Sequence, residues 1–300
     1  MNSTSLFEII FSEYGVHLAI LMALYSILAQ SLNLTFGLGR LFNLAHVASY
    51  ALGAYATALL STDGEFSFWI CILVSMLITG LFALALGVIA LRLSTDYFAI
   101  GTLAFSSVVA AILINWKSVT RGVLGIPGIP RPELFGIDFY QNVNFLLLIA
   151  FFAALANVFF YILQRGPFGR TLRALAEYEH AAASLGNDTR KIRTLAFVFS
   201  SSAAGLAGSF FAYYMNYIDP SSFSLSEMVF ILTVVIVGQP GSFFGVIGAS
   251  ISLLLIPELL RFIEIPPAQL GPARQLLYAA ILFTIVWIKR DSLFPQQRQV

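Results

Sequence analysis

The chain has 300 residues, 59% hydrophobic and only 10% charged, with a mean hydropathy of +0.87. So little charge cannot keep a water-soluble domain in solution, and the sequence reads as a polytopic membrane protein. The net charge of +1 excludes a strong basic surface for nucleic acid, and the single cysteine, Cys71, excludes an intrachain disulfide and suggests neither a zinc site nor a redox pair.

The first residues carry Glu8 and Glu13 and no basic residue before Arg40. A signal peptide opens with positive charge, so the first apolar stretch is expected to be retained, with residues 5–14 as a short interfacial helix. A helix crosses the hydrocarbon with about 20 apolar residues. On that measure spans fall near 16–36, 41–61, 67–91, 96–116, 143–163, 194–217, 226–238, 243–263 and 273–289. The expected fold is thus all-α, one transmembrane bundle of about nine spans within a range of eight to ten. The seventh is too short to cross unless it recruits residues 221–225.

The first span carries Ser26, Gln30, Asn33 and Gly37 on one face. The second carries Asn43, His46, Tyr50 and Thr57, also on one helical face. Lipid cannot satisfy such groups, so both stripes should face protein or water. Gln30, Asn33, Asn43, His46, Tyr50 and Thr57 are therefore candidates for lining a path, with interhelical hydrogen bonding as the plainer role. His46 has His17 and His180 only at a distance in the chain and no clustered carboxylates nearby, so no metal site is expected.

The connection 117–142, rich in Gly and Pro, cannot be a regular helix and reads as a stiff connector, a gate or a docking surface. Residues 164–193 form a polar island holding six of the sixteen basic residues: Arg165, Arg170, Arg173, Arg190, Lys191 and Arg193. Wound as a helix over 168–186, the island sets Arg170, Arg173, Glu177, His180 and Ser184 against Phe168, Leu172, Leu175, Ala182 and Gly186. Glu179 falls on the apolar side and needs a partner, an arginine of its own bundle or of a docked protein. The sixth span has a small-residue face of Ser201, Ala204, Gly205 and Gly208, suited to close helix packing. Gly-rich breaks follow the first span at 37–42 and the seventh at 238–244. Paired breaks of this kind can mark a duplicated fold with its path at the interface.

With the island in the cytoplasm and the spans threaded alternately, eleven basic residues fall inside and five outside, the N-terminus lying outside and the C-terminus inside. Asp96, Glu227, Glu258 and Arg261 all fall near span ends, so no charge is expected at mid-depth. That disfavours a proton-coupled carrier and suits a neutral or zwitterionic cargo. The chain has no Gly-Lys pair and hence no phosphate-cradling loop, so any ATP is bound elsewhere. No nucleophile–base pair supports an enzyme, and no cofactor is expected.

The segment GRTLRALAEYEHAAASLGNDTRKIRTLAFVFSSSAAGLAGSFFAYY resembles the permease subunits of branched-chain amino-acid ABC importers, the LivH/LivM family, and the LivM branch in particular. LFNLAHVASYALGAYATALL at 41–60, LRLSTDYFAIGTLAFSSVV at 91–109, NWKSVTRGVLGI at 115–126 and VVIVGQPGSFFGVIGASISLLLIPELLR at 234–261 agree, so the match runs from about residue 30 to 290. The resemblance implies a multi-pass permease of the bacterial inner membrane. It implies a second permease subunit, usually an unlike chain, two cytoplasmic ATPase subunits and an external solute-binding protein. It also implies that a cytoplasmic helix with an EAA…G-like pattern couples the ATPases to the pore. Ala181, Ala182 and Gly186 fit that spacing, but His180 stands where the pattern has Glu, and Glu179 lies one residue earlier. Arg121 and Gln239-Pro240 also depart from the family pattern. The cargo implied is a branched-chain amino acid or similar small polar solute. Urea or short amides on the same machinery, and a stand-alone facilitator or ion-coupled carrier, are the alternatives.

Overall fold

The computed structural model describes residues 13–91, 93, 95–134, 136–259 and 267–293. The helix expected over 5–14 therefore lies almost wholly outside the described residues, as do Arg92, Arg261 and Arg298. The side chains of Asp96 and Glu258 are likewise not described.

Each expected span has its helix. In chain order these are α1 (Glu13–Leu32), which continues as a π-helical turn over Asn33–Leu38, α2 (His46–Thr62), α3 (Phe68–Ala90) and α4 (Thr95–Asn115). A short α5 (Lys117–Thr120) opens the long connection, and α6 (Asn142–Arg165) closes it. The polar island forms α7 (Pro167–Glu177) and α8 (Glu179–Ser184). The chain ends with α9 (Thr189–Met215), α10 (Leu225–Val237), α11 (Phe243–Leu259) and α12 (Pro267–Leu293). Among the described residues, six stretches are long and apolar enough to cross a membrane: Glu13–Leu38, Phe68–Ala90, Tyr97–Asn115, Asn142–Arg165, Thr189–Met215 and Gly271–Ile288. Exposed apolar ridges such as Leu73, Leu77 and Leu81 on α3, and Leu147, Phe151 and Leu155 on α6, are the surface that lipid or another apolar partner covers.

α9 is the axis of the bundle, packed on α1, α2 and α3. Its small face sets how closely. A Cβ on Gly53 would overlap the backbone of Gly205, one on Gly205 would overlap Thr79, and one on Gly208 would overlap the carbonyl of Tyr50. The close approach brings hydroxyls together: Thr57 Oγ1 lies 2.7 Å from both Ser75 Oγ and Ser209 Oγ. Such a bond in a membrane bundle contributes roughly 0.6 kcal/mol, so the backbone packing dominates.

The connection 117–142 is not helical beyond its first turns. β1 (Ile126–Pro127) pairs antiparallel with β4 (Tyr217–Ile218), just after α9, and β2 (Glu133–Leu134) pairs with β3 (Ile137–Asp138). Arg131 staples this layer to the bundle. Its guanidinium donates to the carbonyls of Phe139 (3.1 Å), Tyr140 (3.0 Å) and Tyr214 (3.2 Å) and lies 5.2 Å from the centre of the Phe145 ring. Burial lowers its pKa from the usual arginine value, against the opposing pull of Tyr214 and Tyr140.

Three expectations change. Asn43 does not belong to the second helix, which starts at His46; its Oδ1 instead accepts from Ala45 N at 3.0 Å, organising the turn before the helix. The island is two helices rather than one, because Tyr178 adopts φ −142°, ψ 82° between α7 and α8. The stop at Gly186 holds, with φ +85°. Lastly, Glu227, although in the first turn of α10 as its place near a span end implies, is not level with an end of the Glu13–Leu38 stretch. α10 has 13 residues, about 20 Å of helix against about 30 Å of hydrocarbon, and does not recruit 221–224, where a 3₁₀ turn over Pro220–Phe223 precedes it. Starting so late, α10 sets Glu227 beside Tyr25, at the midpoint of the 26-residue Glu13–Leu38 stretch.

Candidate functional site

One end of the bundle gathers the handle α7–α8, the π-helical turn after α1 and the break between α10 and α11. α7 buries Gly169, Leu172 and Leu175 and turns Arg170, Arg173 and Glu177 outward, so its two faces divide as the winding predicts. Leu172 packs at the turn of Gly39. In α8 only Ala182 is buried; His180, Ala181 and Gly186 are exposed. Glu179 finds its arginine within the chain: Arg193 Nη1 and Nη2 donate to Oε1 and Oε2 at 2.9 and 3.0 Å. This two-pronged pair pins α8 to the first turn of α9.

The two Gly-rich breaks meet. Gly241 N donates to Asn33 Oδ1 at 2.7 Å, and Asn33 Nδ2 points at Ser242 O at 3.4 Å. Gln30 Nε2 donates to Phe243 O at 2.7 Å, and Gln164 Nε2, from the end of α6, donates to Gln30 Oε1 at 3.2 Å. Arg173 Nη2 reaches the carbonyl of the same Gly241 at 3.2 Å. The Gly241 peptide is therefore held on its N–H side by α1 and on its C=O side by the handle. Its φ of +83° and the contact with Gly37, where a Cβ would overlap Asn33 and Gly241, explain both glycines. Beneath them opens a groove of about 430 Å³ lined by Gly37, Arg40, Arg173, Glu177, Pro240 and Gly241. A second groove of about 430 Å³ lies beside Leu91, Glu179, Thr189, Arg190 and Arg193.

The polar stripe of α2 does not share one neighbour. His46, fully buried, sets Nε2 3.2 Å from Leu28 O and 3.1 Å from Ser31 Oγ, while Nδ1 faces Ser200 Oγ at 3.4 Å. Thr57 sits in the hydroxyl cluster with α3 and α9. Tyr50 packs edge-on against Phe223 at 5.0 Å, and its hydroxyl is buried without a hydrogen-bond partner. The residues missed from sequence are Glu227 with Tyr25, and Ser31 and Ser200 around His46. Ser200 opens the small-residue run of the sixth span, and Ser31 follows Gln30 directly, so single serines gave no periodic signal.

Residues 15–286 match the family model described as branched-chain amino acid transport system / permease component. The chain is 37% identical, over 96% of its own length and 71% of the relative's, to the high-affinity branched-chain amino acid transport system permease protein LivM of Escherichia coli strain K12. It is 26% identical to the probable branched-chain amino acid transport permease protein LivM of Methanocaldococcus jannaschii, over 69% of this chain and 62% of that one. The guanosine ABC transporter permease protein NupQ of Bacillus subtilis is 27% identical over 66% of this chain and 67% of its own. No solved structure matches.

Proposed function

The chain belongs to the branched-chain amino acid transport permease family, and on that premise we propose that it forms half of the pore of an ATP-driven importer for branched-chain amino acids. A second permease subunit supplies the other half. Two cytoplasmic ATPases dock on α7–α8, and an external binding protein delivers cargo to the opposite end, near the 117–142 layer. The assembly sits in the bacterial inner membrane with the N-terminus outside, a placement supported by the bias of basic residues toward the handle end. Arg170, Arg173, Glu177, Glu179, His180, Ala181, Ala182 and Gly186 make the coupling surface. Gln30, Asn33, Asn43, His46, Tyr50 and Thr57 stand near the path or brace it.

The observation that carries this reading is the Gly241 peptide, held by Arg173 of the handle and by Asn33 of α1. A push on the handle has a direct mechanical route into the two breaks, which are the places where the helices can bend. The test is reconstitution in proteoliposomes with both ATPases, the partner permease and the binding protein. ATP-dependent leucine uptake that disappears with a hydrolysis-dead ATPase is the expected result. Uptake on the membrane potential alone, without ATP, refutes it in favour of a stand-alone or ion-coupled carrier. A relative named for guanosine shows that cargo varies across similar permeases. Competition by urea or acetamide, with no competition by leucine, would assign the same machine to short amides.

A further inference from the structure

Glu227 lies opposite the middle of α1, and its hydrogen-bond partner among the described residues is a phenol rather than a cation: Tyr25 Oη donates to Oε1 at 2.5 Å. Both residues are half-buried, so this face of α1 and α10 is open to whatever covers it. Lipid is a poor cover. A charge at the centre of a bilayer costs roughly 2.5–3.5 kcal/mol on insertion scales, and intramembrane carboxylates face protein or water-filled cavities. The face that carries Glu227 is therefore a path or an interface.

The surroundings are aromatic. Tyr25 meets the Phe230 ring edge-on at 5.0 Å, and Phe230 in turn lies 4.5 Å from Tyr278 of α12. A carboxylate among aromatic rings is the chemistry that receives an ammonium group, by direct charge and by the ring quadrupoles.

We propose that Glu227, with the phenol of Tyr25, is a station on the translocation path that holds the ammonium group of a zwitterionic amino-acid cargo. The assignment rests on the importer reading above. It makes the exposed face of α1 and α10 the wall of the path, and it gives a charged residue at mid-depth a role other than carrying protons.

The experiment uses the complete assembly in proteoliposomes, with tritiated leucine as probe. Glu227→Gln keeps an acceptor for the Tyr25 hydroxyl and removes the charge. It should assemble normally, while leucine uptake per ATP falls by about tenfold or more, as expected when the group that pairs with the cargo's ammonium loses its charge. Glu227→Asp should recover part of the loss. If Glu227 only anchors α10, then Tyr25→Phe will be defective and Glu227→Gln silent, which overturns the assignment. An imposed proton gradient that drives wild-type uptake but not that of Glu227→Gln also overturns it, in favour of proton transfer. A wild-type assembly that never takes up leucine refutes the importer reading itself, whereas wild-type uptake matched by Glu227→Gln refutes only the station.

Discussion

Asn33→Ala isolates the link between handle and pore. The substitution deletes the 2.7 Å bond from Gly241 N and the weaker 3.4 Å contact to Ser242 O. Asn33 is fully buried, so the Gly241 N–H loses its partner in a place water does not readily reach. Leaving such a donor unsatisfied costs about 1–3 kcal/mol. Gln30 still holds Phe243 O at 2.7 Å, so the break stays tethered at one point. Taking a cost of about 2 kcal/mol, the equilibrium between docked and undocked break shifts by about thirtyfold. The break then follows the handle poorly, and ATP should be hydrolysed with less transport. The assay is the ratio of ATP hydrolysed to leucine taken up in proteoliposomes, with thermal melting of the purified assembly as the control for global damage. The ratio should rise several-fold, with binding-protein affinity unchanged. Asn33→Asp, which keeps an acceptor for Gly241 N–H, should fall between the two. A wild-type ratio in Asn33→Ala, at normal expression, refutes the mechanical role of this bond.

Glu179→Ala should leave the protein in the membrane and weaken coupling, because α8 loses its tie to Arg193. With Glu179 46% exposed the pair contributes no more than about 1 kcal/mol to stability, so the loss should appear in uptake per ATP and not in melting. Exchanging the two charges, Glu179→Arg with Arg193→Glu, should restore part of it. Gly205→Val should prevent assembly, since even a Cβ there overlaps Thr79. Size-exclusion profiles in detergent check this, and a monodisperse, active variant counts against the close packing. Asp219, on the connection between α9 and α10, is buried enough to raise its pKa, but donors from Ser221 and Ser222 outweigh that and hold it below the usual value. A lowered folded-state pKa stabilises the connection above the unfolded value of about 4, and that stability is lost as pH falls through the folded value. Hydrogen-exchange protection factors across 219–224, referred to intrinsic rates at each pH, should therefore fall in wild type below about pH 4, and Asp219→Asn should remove that pH dependence.

Long spans were legible because length and apolarity are local properties. The small face of α9 was legible for the same reason, though not its partner Gly53, since a lone glycine carries no period. The two faces of α7 followed from winding at 100° per residue, but winding presumes one continuous backbone and so missed the break at Tyr178. Asn43 misled in a related way: its three-residue offset from His46 is also the spacing of a polar residue that organises the turn before a helix. Glu179 announced a need for a partner and could not name Arg193, fourteen residues on. The depth of Glu227 was the least legible feature, because it depends on where a short helix begins within its neighbours.

That depth and the handle are connected through α10. The helix runs from Glu227, in its first turn, to Val237, and the Gly238–Gly241 break follows at once. Its far end is thus fixed by the Gly241 peptide, which Asn33 and Arg173 hold between them. A 13-residue helix is short and stiff enough to carry an axial or tilting displacement along its whole length. Movement of the handle at one end of α10 then becomes movement of a carboxylate at mid-depth at the other. On this geometry the proposed coupling surface and the proposed ammonium station are two ends of one lever. Asn33→Ala and Glu227→Gln should accordingly both lower the leucine carried per ATP, the first by loosening the lever and the second by removing what it moves.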